Sequence, residues 1–203
     1  MKTILITGCS SGIGYDAART LKLKGWRVFA TCRKPSDCRR LENEGFESFV
    51  LDYSRESTIN DALNYVQTHN DGKLDALFNN GAYALPGAVE DLKRSALKEI
   101  FEINFFGHVD LMNTLLPCLK NSDDGRVINC SSVLGFAALP YRGAYNATKF
   151  AIEAITDTIR REETAKKVKF ILIEPGPIRT RIRQNSIYHF EKWIDWENSD
   201  LKE

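Results

Sequence analysis

The stretch Ile4-Leu5-Ile6-Thr7-Gly8-Cys9-Ser10-Ser11-Gly12-Ile13-Gly14 sets the reading of the whole chain. It opens on a near-continuous apolar run, the kind that suits a strand covered on both faces. It closes on a glycine-rich turn leading into an amphipathic stretch over Ile13–Lys24. Glycines let a backbone turn tightly and approach a pyrophosphate. A helix starting there offers unpaired N–H groups and a positive dipole end. The spacing is GxxxGxG, not the commoner GxGxxG of dinucleotide-binding turns. An ordinary strand-to-helix turn can look the same. Its place directly after the first strand is what favours phosphate binding.

The same alternation continues downstream. Strands are predicted at Thr3–Thr7, Arg27–Thr31, Ser48–Leu51, Ala76–Asn79, Arg126–Cys130 and Lys169–Ile173. Helices are predicted near Ile13–Lys24, Ser36–Glu44, Glu56–Thr68, Ser95–Lys120 and Ala144–Lys166. This order implies an α/β class: a Rossmann-like doubly wound parallel sheet with helices on both faces and right-handed crossovers. After Pro177 the alternation stops, and Ile187–Trp196 reads as a short amphipathic helix. No repeat or interdomain linker interrupts residues 1–203, which read as a single domain.

Composition narrows the partners. With 203 residues and 43% hydrophobic content the chain can bury a substantial core. A formal net charge of +1 gives no support for nucleic acid or an anionic membrane. No apolar run approaches the roughly 20 residues of a membrane span. Five cysteines without a CxxC pair, and scattered His69, His108 and His189, argue against a disulfide framework or a metal site. Reduced thiols in a cytoplasmic protein are the expectation.

Several short groups carry chemistry. Tyr145 and Lys149 stand four apart on a predicted helix and so share a face. A nearby ammonium favours phenolate and should lower the tyrosine pKa from about 10. A tyrosine tuned that way can exchange a proton with a carbonyl or alcohol oxygen. The same pair is common on solvated faces, so it gains meaning only from context. Ser131 and Ser132 follow strand five, at the strand ends where open α/β sheets bind ligands. Asn104 lies with Leu97, Ile100, His108, Leu111 and Leu115 on one helical stripe, where a carboxamide must find partners. Arg33 and Lys34 close strand two, with no acid at positions 30–34. An acid there commonly holds a ribose 2′-hydroxyl, whereas an arginine suits a 2′-phosphate and NADP. A solvated basic loop is the alternative reading.

Together these residues resemble the short-chain dehydrogenase/reductase family over nearly the whole chain. Thr7 to Gly14 reproduces that family's TGxxxGxG, and Asn104, Ser132, Tyr145/Lys149 and Pro175-Gly176 match its later motifs in order. The family spacing, thirteen positions before the tyrosine, selects Ser132 over Ser131. The resemblance implies an NADP-preferring oxidoreductase interconverting an alcohol and a ketone or aldehyde, with a hydrophobic small molecule as substrate; the alternative reading is a cofactor-binding sensor or interaction protein, or an inactive fragment, on the same fold. Tyr145 would be the acid/base, Ser132 would orient the reacting oxygen, and Lys149 would bind the nicotinamide ribose and tune the tyrosine. Asn104 would hold a relay water. Gly8, Ser10, Ser11, Gly12, Ile13, Gly14, Arg33, Asp52, Asn80, Gly81, Pro175, Gly176, Ile178 and Thr180 would complete the cofactor site, with Tyr145 and Lys149.

The resemblance also implies a homodimer or homotetramer paired through the long helices. Phe105, Phe106 and Met112 would be exposed there. Leu85, Pro86, Leu134, Phe136, Tyr141, Tyr188 and Trp193 would line an apolar pocket. Two departures stand out. The usual Asn-Asn-Ala-Gly appears as Asn79-Asn80-Gly81-Ala82, and Ala82 would be strained if its position needs positive φ. Residues 183–203 would form only part of a substrate lid, leaving strand six at an open sheet edge.

Overall fold

Six short strands lie parallel in one sheet because each connection between them carries a helix or a long crossover. The computed structural model describes residues 1–202. The strands are β1 (Thr3–Ile6), β2 (Arg27–Cys32), β3 (Glu47–Val50), β4 (Ala76–Asn79), β5 (Gly125–Cys130) and β6 (Val168–Ile173). The helices are α1 (Gly12–Leu23), α2 (Pro35–Asn43), α3 (Glu56–His69), α4 (Arg94–Phe101), α5 (Gly107–Lys120), α6 (Gly143–Ile159) and α7 (Ile182–Trp193). The sheet order is β3-β2-β1-β4-β5-β6. The chain leaves β1 toward β2 on one side and later returns to β4 on the other, so a crevice opens at the carboxyl ends of β1 and β4.

Side-chain alternation along the central strand sorts the two layers. Leu5 points to the face covered by α3, α5 and the end of α6, where it meets Phe29, Leu77, Val66, Leu111 and Leu115. Ile4 and Ile6 point to the face covered by α1 and α2, beside Ala18, Val28, Leu41 and Phe78. Both faces are covered, which is why these strands are continuous apolar runs rather than alternating ones.

Three predicted helices differ from the structure. The stretch expected as one helix over Ser95–Lys120 is interrupted by a π-helical turn at Glu102–Phe106, with Asn104 at its centre. Such a turn inserts one residue, and single π turns concentrate at functional sites. The helix expected to reach Lys166 stops at Ile159, its last buried residue; Arg160 through Glu163 are exposed and give a continuing helix nothing to bury. The expected lid helix starts earlier, at Ile182, and ends at Trp193. Strand β6 does lie at the sheet edge, with Ile173 exposed at its end.

Candidate active site

The first wall of the crevice is backbone held close to backbone. Gly8 and Gly12 have φ of +69° and +62°, which side chains disfavour. Gly14 has ordinary φ, but a Cβ there would fall 2.6 Å from Asn80 Nδ2 and 2.7 Å from the Gly8 carbonyl oxygen. Thr7 ties this turn to the loop after β4: its hydroxyl accepts from the Asn80 and Gly81 N–H groups at 2.8 and 3.0 Å. The Asn80 amide donates back to the Thr7 carbonyl at 2.9 Å. Thr180 closes the other side, its methyl 3.3 Å from where a Cβ of Gly12 would stand. The first turn of α1 carries no side-chain cap, and Ser10, Ser11 and Ile13 flank it. This cradle fits a pyrophosphate, since side chains are excluded and N–H groups remain.

The reversed Asn79-Asn80-Gly81-Ala82 motif carries no strain. Neither Gly81 nor Ala82 has positive φ. Glycine leaves room at 81, where a Cβ would lie a tight 3.0 Å from Tyr53 Cε2. Tyr53 is buried just after β3, bonded to the Thr7 hydroxyl at 2.8 Å and donating to Asn79 Oδ1 at 2.9 Å. The His108 ring packs on it, centroids 4.5 Å apart, and His108 Nε2 donates to the Gly81 carbonyl. Burial pushes the His108 imidazole down to about 3. Arg33 stands exposed just past β2. Asp52, half-buried past β3, accepts from the Ser54 N–H and hydroxyl at 3.1 and 2.8 Å.

The second wall is built by α6 and the end of β5. Tyr145, Ser132 and Lys149 are all buried there. Lys149 Nζ lies 5.5 Å from the Tyr145 ring centroid and donates to the Cys130 carbonyl at 2.7 Å. The expectation of a lowered Tyr145 pKa is overturned: burial pushes its phenol up to about 12, although the Ser132 hydroxyl pulls the other way. The ammonium is spent on a backbone carbonyl, and burial lowers its own pKa. Desolvation therefore outweighs proximity. Pro175 joins this wall by accepting from the Val133 N–H at 3.1 Å. Gly176 accepts from the Ile178 N–H at 2.9 Å, and the Ile178 side chain is exposed.

Asn104 is engaged on both amide atoms. Its Oδ1 accepts from the Tyr83 N–H at 3.1 Å, and its Nδ2 donates to the Tyr83 carbonyl at 2.9 Å and to Thr148 Oγ1 at 3.3 Å. Above it, Tyr83, Leu85, Ile100, Ala144, Tyr145 and Ile194 form one apolar cluster, with Leu134, Phe190 and Trp193 packed against it. Of the residues expected to line a pocket, Leu85, Leu134 and Trp193 belong to this cluster. Phe136, Tyr141 and Tyr188 are instead exposed. Met112, expected on the outside, is buried in the sheet-side core.

Sequence reasoning missed Tyr53, Tyr83 and Glu99. The exchange of Gly81 and Ala82 was a readable signal for a bulky neighbour such as Tyr53. Tyr83 and Glu99 carried no local signal, because the side chains they meet, His189, Lys192 and Trp193, come from α7.

Comparison with known proteins decides the family. The description short chain dehydrogenase matches residues 2–189. The chain belongs to the short-chain dehydrogenase family. This dehydrogenase is thus an oxidoreductase of CH–OH donors, in a family that uses NAD or NADP. It is 41% identical over 184 residues to the uncharacterized oxidoreductase YbbO of Escherichia coli K12, covering 91% of this chain and 68% of that protein. It is 32% identical over 208 residues to mouse retinol dehydrogenase 7, covering 100% of this chain and 65% of that one. Its fold matches the alcohol dehydrogenase of Thermococcus sibiricus complexed with 5-hydroxy-NADP at a TM-score of 0.82. There the identity is 27%, and 90% and 79% of the two chains are covered. Among the described residues no helix is long and apolar enough to cross a membrane.

Proposed function

We propose that this dehydrogenase reduces a hydrophobic ketone or aldehyde, or runs the reverse oxidation, with NADP(H) as cofactor in the cytoplasm. The observation that carries the reading is the convergence of Ser132 and Lys149 on Tyr145, which itself belongs to the apolar cluster of Tyr83, Leu85 and Ile194. The bound nicotinamide supplies or takes the hydride.

The chain's own residues handle the proton. Tyr145 is neutral well above physiological pH, so it holds the proton a carbonyl oxygen needs. Ser132 hydrogen-bonds and orients the same oxygen. Lys149 spends one of three N–H donors on Cys130 and keeps two for ribose hydroxyls. Asn104 holds Tyr83 and retains acceptor capacity for one relay water. Arg33 meets the 2′-phosphate; the NADP analogue in the Thermococcus enzyme supports that choice. Gly8, Gly12, Gly14, Asn80, Gly81 and Thr180 hold the pyrophosphate and nicotinamide ends. Asp52 contacts the adenine. The retinol relative supports an apolar substrate, by its name. Phe106 and Phe150 are exposed on the long helices and would meet in a homodimer or homotetramer.

The deciding experiment is turnover of NADPH across hydrophobic ketones and aldehydes, wild type beside Tyr145→Phe. Removing the acid should cost about a hundredfold or more in kcat, with NADPH affinity little changed. Equal turnover in both proteins would refute the assignment.

A further inference from the structure

Glu99, on α4, gathers four side chains onto one carboxylate. Lys192 Nζ bonds its Oε2. Trp193 Nε1 donates to Oε1 at 3.3 Å, and the Tyr83 hydroxyl reaches the same oxygen at 3.5 Å. His189 Nδ1 stands 3.8 Å away. Residues 189, 192 and 193 are spaced to lie on one face of α7. So a single residue outside the catalytic set meets the last turn of that helix. Burial would raise the Glu99 carboxyl, but Lys192 and Trp193 together hold it below its ordinary value.

The contacts beneath this carboxylate lead to the reacting centre. The Tyr83 ring stacks on His189 with centroids 3.7 Å apart. The backbone of Tyr83 is gripped on both sides by Asn104. Ile194, just past α7, packs so close to Gly87 that a Cβ there would lie 2.6 Å from its Cδ1. Ile194 and Tyr145 belong to one buried cluster, against which Phe190 and Trp193 pack. Among the described residues nothing of comparable polarity fixes the other turns of α7: Arg183, Gln184, Asn185 and Ile187 are exposed.

We propose that Glu99 is the positioning residue for the α7 lid, clamping it through Lys192 and Trp193 over the apolar cluster that holds Tyr145. The proposal rests on the reading of that cluster as the substrate site. Substrate reaches Tyr145 by parting α7 from α4. Glu99 therefore governs how well bulky substrates are held, without entering the chemistry.

The test uses Trp193 as reporter in a Trp26→Phe, Trp196→Phe background. Glu99→Ala should raise iodide quenching of Trp193 about threefold and KM for a bulky ketone about tenfold, the scale of a lost charged hydrogen bond. The kcat should stay within about twofold and NADPH affinity should not move. Lys192→Met gives a surface variant that leaves the core untouched, with the same direction of change. The charge-swapped pair Glu99→Lys with Lys192→Glu should recover much of the shielding that either single change loses. Unchanged quenching and KM in Glu99→Ala and Lys192→Met would overturn the proposal, as would a swap no better than its parents. A wild type that turns over no carbonyl, while Trp193 shielding still falls in Glu99→Ala, would refute the activity and leave the clamp standing.

Discussion

Two buried tyrosine–histidine pairs flank the site, and they are held in opposite ways. Tyr53 and His108 sit behind the cofactor loop, between β3 and α5. The Tyr53 hydroxyl and His108 Nε2 go to Thr7, Asn79 and the Gly81 carbonyl, all on the sheet or its loops. Tyr83 stacks on His189 of α7, and their shared polar neighbour is the part-exposed carboxylate of Glu99. The first pair is fixed by neighbours that cannot move without breaking the sheet. The second is fixed by an ion pair that water can replace. One wall of the crevice is thus built to keep its shape and the other to give way.

If the cofactor wall owes its shape to backbone contact, the smallest added group should break it. Gly14→Ala places a methyl against the Gly8 carbonyl and the Asn80 amide. Overpacking of this kind costs about 1–3 kcal/mol. NADPH affinity should fall by about a hundredfold because the turn itself is the binding surface. Titration calorimetry would check this; unchanged affinity would mean the loop yields as easily as the lid.

Acid separates the two histidines. His108 in the native protein stays neutral down to about pH 3, against 6.5 for an ordinary histidine. As pH falls below 6.5 the unfolded chain takes up a proton that the native chain refuses. Stability is then full above that pH and is lost progressively toward pH 3, by an amount on the order of 4 kcal/mol. His189 is also depressed by burial, but Glu99 opposes the shift, so its share is smaller. Urea unfolding from pH 7 to pH 4 should show a steep loss in the wild type and a shallower one in His108→Gln. Parallel slopes would erase the distinction between the walls.

The smallest effect tests the rim. Arg33→Ala should weaken NADPH by about tenfold to a hundredfold, the scale of one charge-assisted bond, and should leave NADH within about twofold. Equal losses for both cofactors would remove Arg33 from the 2′-phosphate.

How much of this was written in the chain follows the same division. The six strands, the order of motifs and the glycine cradle were legible because they depend on local geometry: apolar runs, turn residues and a fixed spacing. The π turn at Glu102–Phe106 was not, since the apolar stripe through Ile100, Asn104 and Leu111 survives it. The direction of the Tyr145 shift was also hidden. Spacing showed the lysine four residues on, but the Cys130 carbonyl that accepts its hydrogen bond and the cluster that desolvates the phenol belong to distant segments. Tyr83 and Glu99 were silent for the same reason.

The packing around Tyr53 makes the order of substitutions matter. A Cβ at position 81 meets only its ring edge, at 3.0 Å, whereas a Cβ at 107 meets its carbonyl oxygen at 2.8 Å and its Cα at 2.9 Å. Shrinking residue 53 first would make alanine at 81 harmless; made second, the same change would come after the damage. No residue at 53 would free position 107, because there the obstacle is main chain. An alanine at 81, as in the family's usual Asn-Asn-Ala-Gly order, is thus easier to reach from this chain after a change at Tyr53 than before it.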